Sequence, residues 1–181
     1  MVHLEEGKLK FSFDANVWPI VLKADEHPDF KSLEKLNHSK AVDFICASGN
    51  EVIMIEVKDF RDHGIENKLR LEDGGEHLCV EVGCKVKDSV SGAIGGARNS
   101  THNKSNWMTI ARSLINEGHS LKVVLWLEES NSNSKRGKAG AGIYTNKLKT
   151  KLKWLTGGNH AIVIDNSCNS IPGLTVTFLP N

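Results

Sequence analysis

Between Lys40 and Arg61, two short apolar runs flank a Ser48-Gly49-Asn50 turn signal, and charged residues stand inside both runs. The first reads Lys-Ala-Val-Asp-Phe-Ile-Cys and the second Val-Ile-Met-Ile-Glu-Val-Lys-Asp-Phe-Arg. This pattern predicts an antiparallel hairpin. Asp43 interrupts the first strand, whereas Glu56 and Lys58 close the second at i and i+2, so their side chains leave the same face. Two carboxylates and an ammonium on a mostly buried hairpin are costly unless a metal or a substrate uses them.

The rest of the chain sets the frame for this hairpin. Its 181 residues fit one domain with a sizeable core, and 39% hydrophobic with 25% charged residues excludes collagen, coiled coil and wholesale disorder. A net charge of +1 provides no global field for a polyanion, so any nucleic-acid site must rest on local clustering and bound cations. Cys46, Cys79, Cys84 and Cys168 form no Cys-x-x-Cys pair and read as reduced, mostly buried thiols. No stretch approaches the roughly 18 apolar residues of a membrane span. The opening residues resemble no signal peptide, and a cytoplasmic location is expected.

Alternation predicts a strand over Lys8–Phe13, and Val17, Ile20, Val21 and Ala24 predict a short helix from about Asn16 to His27, capped by Asp14 or Asn16. That helix would end in Asp25-Glu26, against the preference of a helix C-terminus for cations, which hints at another task for these acids. Pro28–Leu36 reads either as a short strand or as a turn and a half of helix. Asp62–Gly75 is polar and contains glycine, hence a loop. Leu78, Val82, Val86, Val90 and Ile94 then recur every four residues on a long amphipathic helix, whose Gly92–Ala97 small residues would let it lie close to a sheet.

Trp107, Ile110, Ala111, Leu114 and Ile115 mark another helix, stopped at Gly118. Leu121–Leu127 reads as a central strand buried on both faces. Glu128–Gly142 suits a surface loop, and Leu148, Leu152 and Leu155 the inner side of a basic helix. Ala161–Ile164 and Leu174–Phe178 supply two more strands. The order is that of an α/β sandwich with a mixed sheet.

An Asp/Glu-x-Lys triplet occurs four times, at Glu6, Asp29, Glu56 and Glu66, but only Glu56-Val57-Lys58 closes an apolar strand and has a second acid in the preceding one. Phosphodiester hydrolysis needs a cation that neutralises the phosphate and activates water, and oxygen donors suit magnesium. Asp43 and Glu56 can reach one ion if their strands are neighbours, with the carbonyl of Val57 as third ligand. Lys58 can orient or deprotonate the attacking water. Phosphate contacts could come from Lys85, Lys87, Arg98 and Lys104 on the long helix, or from Lys147, Lys149, Lys151 and Lys153 on the later one. The eight histidines show no metal-ligand spacing, and His63 reads as an exposed loop residue.

Asp43, twelve intervening residues and then Glu56-Val57-Lys58, on a hairpin between two helices, resembles the PD-(D/E)xK nuclease superfamily. Val42 stands where that motif has proline. The resemblance covers residues 16–127, with 143–181 as an extension of a single domain. It implies a restriction-endonuclease-like three-layer sandwich, a central mixed sheet flanked by helices. It further implies a magnesium-dependent endonuclease, with manganese as a substitute ion, acting on nucleic acid, DNA above all, in genome defence or repair. Such enzymes often carry another acid on the first helix. Glu26 is the choice here, with Asp25 or Glu34 as alternatives. A chain of this length leaves little room for a specificity domain, so a homodimer or a partner subunit could supply selectivity. A second reading is a catalytically inactive module of the same fold that binds nucleic acid or a partner protein.

Overall fold

A computed structural model describes residues 1–33, 35, 38–61, 68–129, 135–157, 160–165 and 170–180. The expectations for Glu34, His63 and Cys168 lie outside them. The chain begins with a hairpin of β1 (Val2–Glu6) and β2 (Leu9–Phe13), turned at Gly7, whose φ of +57° falls in the left-handed region that glycine enters without steric cost. There follow β3 (Ile20–Lys23), α1 (Pro28–Leu33), β4 (Phe44–Ala47), β5 (Glu51–Asp59), α2 (Lys68–Asn99), α3 (Lys104–Ile115), β6 (Ser120–Glu128), α4 (Lys135–Thr156), β7 (Ala161–Ile164) and β8 (Leu174–Phe178).

Two sheets result. A mixed sheet runs β3-β4-β5-β6-β7, antiparallel through β5 and parallel from β5 to β7, and a smaller antiparallel sheet runs β1-β2-β8. Because successive side chains of a strand alternate, each central strand feeds two cores. Met54, Val123, Leu125 and Leu127 join Leu78, Val82, Ile110 and Leu148 of the helices. On the opposite face Ile53, Ile55, Val124 and Trp126 join Phe11, Phe13 and Val176 of the small sheet. The layers are therefore helices, mixed sheet, antiparallel sheet. The α/β class agrees with the sequence, but helices cover one face only, because the alternating apolar residues of β2 and β8 supply a ready-made cover for the other.

The expected helix over Asn16–His27 is not formed. Asp14 does cap a turn, its carboxylate accepting from the Asn16 N–H and its carbonyl from Val17 and Trp18, but the chain then extends into β3. β3 pairs with β4 from Ile20↔Ala47 to Lys23↔Phe44. Pro19 suits a break, and a four-residue strand on an available sheet edge secures more partners than one helical turn could. Of the ambiguous segment 28–36, Pro28–Leu33 forms a helix with Pro28 in its first position, where the missing N–H costs nothing.

Two expected loops are shorter than the sequence implied: α2 reaches back to Lys68 and α4 to Lys135. The small residues of α2 also serve other neighbours than a sheet. A Cβ on Gly92 would stand 2.2 Å from the Phe30 ring of α1, and one on Gly96 would stand 2.6 Å from the Trp107 ring of α3. Cys46 and Cys79 are buried thiols, but Cys84 is exposed, on the outer side of α2. No helix among the described residues is long and apolar enough to cross a membrane.

Candidate metal and catalytic site

The Ser48–Asn50 turn, closed by the Ser48 N–H donating to the Glu51 carbonyl, fixes the register of β4 and β5. Phe44 pairs with Ile55, so one further step places Asp43, just before β4, across from Glu56. The two are joined through the main chain: the Val57 N–H donates to Asp43 Oδ2 at 2.5 Å. Val57 thus enters the site through its N–H, whereas the sequence pointed to its carbonyl. Alternation along β5 sends Val57 to the small-sheet side and Glu56 and Lys58 toward the helices.

There α2 meets them with two residues one turn apart. Lys58 Nζ lies 2.7 Å from Glu56 Oε1 and 2.9 Å from Glu81 Oε1. Lys85 Nζ lies 2.6 Å from the same Glu56 oxygen and 3.6 Å from Asp43 Oδ1. Lys85, expected to reach phosphates from a solvated helix face, instead stands between the two carboxylates with its side chain only 13% exposed.

Glu56 is fully buried, and its second oxygen, Oε2, has no hydrogen-bond partner among the described residues. Burial, reinforced by the Asp43 carboxylate, pushes its carboxyl up to about 7, with Lys58 and Lys85 pulling the other way. Burial alone would pull the Lys58 ammonium down. Its contacts with Glu56 and Glu81 outweigh that and hold it above the ordinary lysine value.

A second grouping shares Asp43. Carboxylate oxygens of Glu6, Asp25 and Asp43 lie within 4.8 Å of one another, a spacing that could hold a metal ion. Asp25 arrives there because the Ala24 N–H donates to the Asp43 carbonyl at 2.8 Å, tying the turn after β3 to the start of β4. Glu6 arrives at the end of β1 through Lys23, whose Nζ contacts the Glu5 carbonyl at 2.7 Å and Glu6 Oε2 at 3.2 Å. Asp25 Oδ1 is buried without a hydrogen-bond partner among the described residues. Burial, then the neighbouring Asp43 and Glu6 charges, raise the Asp25 carboxyl to about 6.

Glu26, the acid favoured from sequence, is 63% exposed and paired at 2.7 Å with Lys23, whose contact holds its carboxyl below the usual range. The strand that replaces the expected helix turns Asp25, one residue earlier, toward Asp43. Glu6 and Glu81 escaped sequence reasoning as site residues, and Lys85 entered it only as a phosphate contact. Glu81 and Lys85 do carry a faint signal, an acid and a lysine four apart on the long amphipathic pattern, one turn of helix.

Six carboxylates, those of Glu6, Asp25, Glu26, Asp43, Glu56 and Glu81, share three ammonium groups, those of Lys23, Lys58 and Lys85, so acids outnumber cations around the site. A divalent cation would reduce that excess. Compared with family models, curated proteins and solved structures, the chain has no match in any of the three.

Proposed function

We propose that the protein is a divalent-metal-dependent nuclease of the PD-(D/E)xK type, with a restriction-endonuclease-like core, hydrolysing phosphodiester bonds in DNA. The observation that carries this reading is the convergence of Asp43, Glu56 and Lys58 at one end of the β4–β5 hairpin, within reach of further carboxylates. A structural ion pair would not need Asp25 Oδ1 and Glu56 Oε2 buried without partners, whereas hard cations seek such oxygens.

Asp43 would hold magnesium, or manganese in its place, together with Glu56 and with Asp25 and Glu6. When bound, the ion supplies charge neutralisation at the phosphate and a more acidic water. Lys58, fixed by Glu56 and Glu81, contributes a hydrogen-bond donor and a positive charge beside the reacting phosphate, worth most where water is excluded. Glu81 positions Lys58. The Val57 N–H holds the Asp43 carboxylate in a fixed orientation, so that little reorganisation is needed on binding. The setting would be cytoplasmic, with selectivity drawn from DNA structure, a second copy or a partner subunit.

Nicking of supercoiled plasmid DNA in magnesium or manganese tests this. Asp43→Asn and Lys58→Ala should each lower the rate about 10²- to 10⁴-fold. Equal cleavage by wild type and both variants, or no cleavage of DNA or RNA by any of them, ends the nuclease reading.

One observation favours a second reading. Lys85 already neutralises Glu56 and approaches Asp43, as in a catalytically silent module that binds nucleic acid or protein. Calorimetric titration with manganese separates the two, since a silent site gives no heat, whereas a working one binds the ion and loses it in Asp43→Asn.

A further inference from the structure

The lysine between Asp43 and Glu56 has no counterpart in the chemistry proposed above. Its ammonium lies 2.6 Å from Glu56 Oε1 and 3.6 Å from Asp43 Oδ1, between the two acids that would share an ion. Lys58 already contacts Glu56 Oε1, so Lys85 is a second cation on the same oxygen. A structural role alone would be met by one. Lys85 also differs from Lys58 in its origin: it belongs to α2 and, among the described residues, its ammonium pairs with Asp43 and Glu56 of the hairpin, whereas Lys58 is anchored from both sides, by Glu56 on its own strand and Glu81 on α2. A lysine stem is long and flexible, and its head can be withdrawn without moving the helix.

We propose that Lys85 is a built-in substitute for the divalent cation: its ammonium occupies the ground between Asp43 and Glu56 in the metal-free protein, and metal entry displaces it, so that Lys85 sets the affinity of the site for metal. The inference rests on the metal-dependent reading of the site. Lys58 already offsets the burial of Glu56, and Lys85 adds a second bridge between the hairpin and α2 until an ion arrives. The same contact makes binding a competition, because an ion gains Asp43 and Glu56 only by breaking the lysine contacts. Divalent-ion binding is thereby weakened, and only a sufficient ion concentration switches the site on.

Manganese calorimetry on the full chain tests the proposal, comparing wild type, Lys85→Met, Lys85→Gln and Asp43→Asn. Removing the competing charge should tighten manganese binding by at least about tenfold in Lys85→Met and Lys85→Gln, a change of about 1.4 kcal/mol, while Asp43→Asn loses it. Binding seen in the Lys85 variants and not in wild type supports competition in its strongest form. Unchanged or weaker binding in both Lys85 variants, with wild-type binding still lost in Asp43→Asn, overturns the role of Lys85 and leaves the metal site standing. Absence of binding in all four proteins overturns both.

Should the Lys85 variants fail to fold, wild type alone decides. Lysine acylation read by mass spectrometry should show Lys85 protected without metal and labelled several-fold faster at saturating manganese, with Lys149 as an internal reference. Equal labelling with and without bound manganese overturns the proposal.

Discussion

The two faces of β5 carry opposite solutions to burial. Toward the small sheet, Ile53, Ile55 and Val57 meet Phe11, Phe44 and Trp126, and the layer is held by apolar area and aromatic geometry, with Phe11 4.9 Å from the Phe44 ring and 5.4 Å from that of Trp126. Toward the helices the same strand begins in the same way, with Val52 and Met54 in the core, and then places Glu56 and Lys58 where two further apolar residues would pack. Continuing the apolar pattern would be neutral or more stable, since a buried ion cluster seldom recovers its desolvation cost. One face therefore gives the fold its stability, and the end of the other carries the charged groups of the candidate site.

Breaking the apolar face should give the largest change. Phe11→Ala is expected to cost about 3–5 kcal/mol in urea denaturation, while manganese affinity under native conditions stays as in wild type. A cost below about 1 kcal/mol, or loss of manganese binding in the folded variant, would erase the division between the faces.

A smaller effect of opposite sign is expected at the charged end. Asp25 has its carboxyl raised from 3.8 to about 6, so between those values the folded protein holds a proton that the unfolded chain releases, and stability falls as pH rises through that window. Asp25→Asn removes this penalty. After discounting for solvent screening of a partly buried group, it should gain on the order of 1 kcal/mol at pH 7 and progressively less toward pH 4. A gain independent of pH would show that ionisation of Asp25 is not what the fold opposes. The smallest effect belongs to Glu26→Gln, which should leave both the manganese titration and the melting temperature essentially unchanged, because Glu26 is exposed and its ion pair with Lys23 lies at the surface. Loss of manganese binding there would restore Glu26 to the site in place of Asp25.

How much was legible in the chain follows the same division. The hairpin, β6, β7, β8 and α3 could be read directly, since each is a local run whose period or turn residues settle its form. The Asp43–Glu56 relation was legible too, because the turn sets the register and the register sets the neighbours. By contrast β3 was mistaken for a helix, as Ile20-Val21-Leu22 fits either period over so short a span and its partner β4 lies more than twenty residues away. That misreading favoured Glu26 as the upstream acid, whereas it is Asp25, one of the two alternatives, that lies beside Asp43.

By itself, then, the sequence determined the α/β class, the buried hairpin and the three residues that mark its charged end, all consequences of interactions between near neighbours along the chain. Tertiary structure alone decided that a second sheet covers the other face, that Glu6 and Asp25 join Asp43, and that Glu81 and Lys85 descend from α2 onto Lys58 and Glu56. Those meetings depend on how separate elements pack, and no local pattern records which face of a helix will be offered to a strand formed some thirty residues earlier.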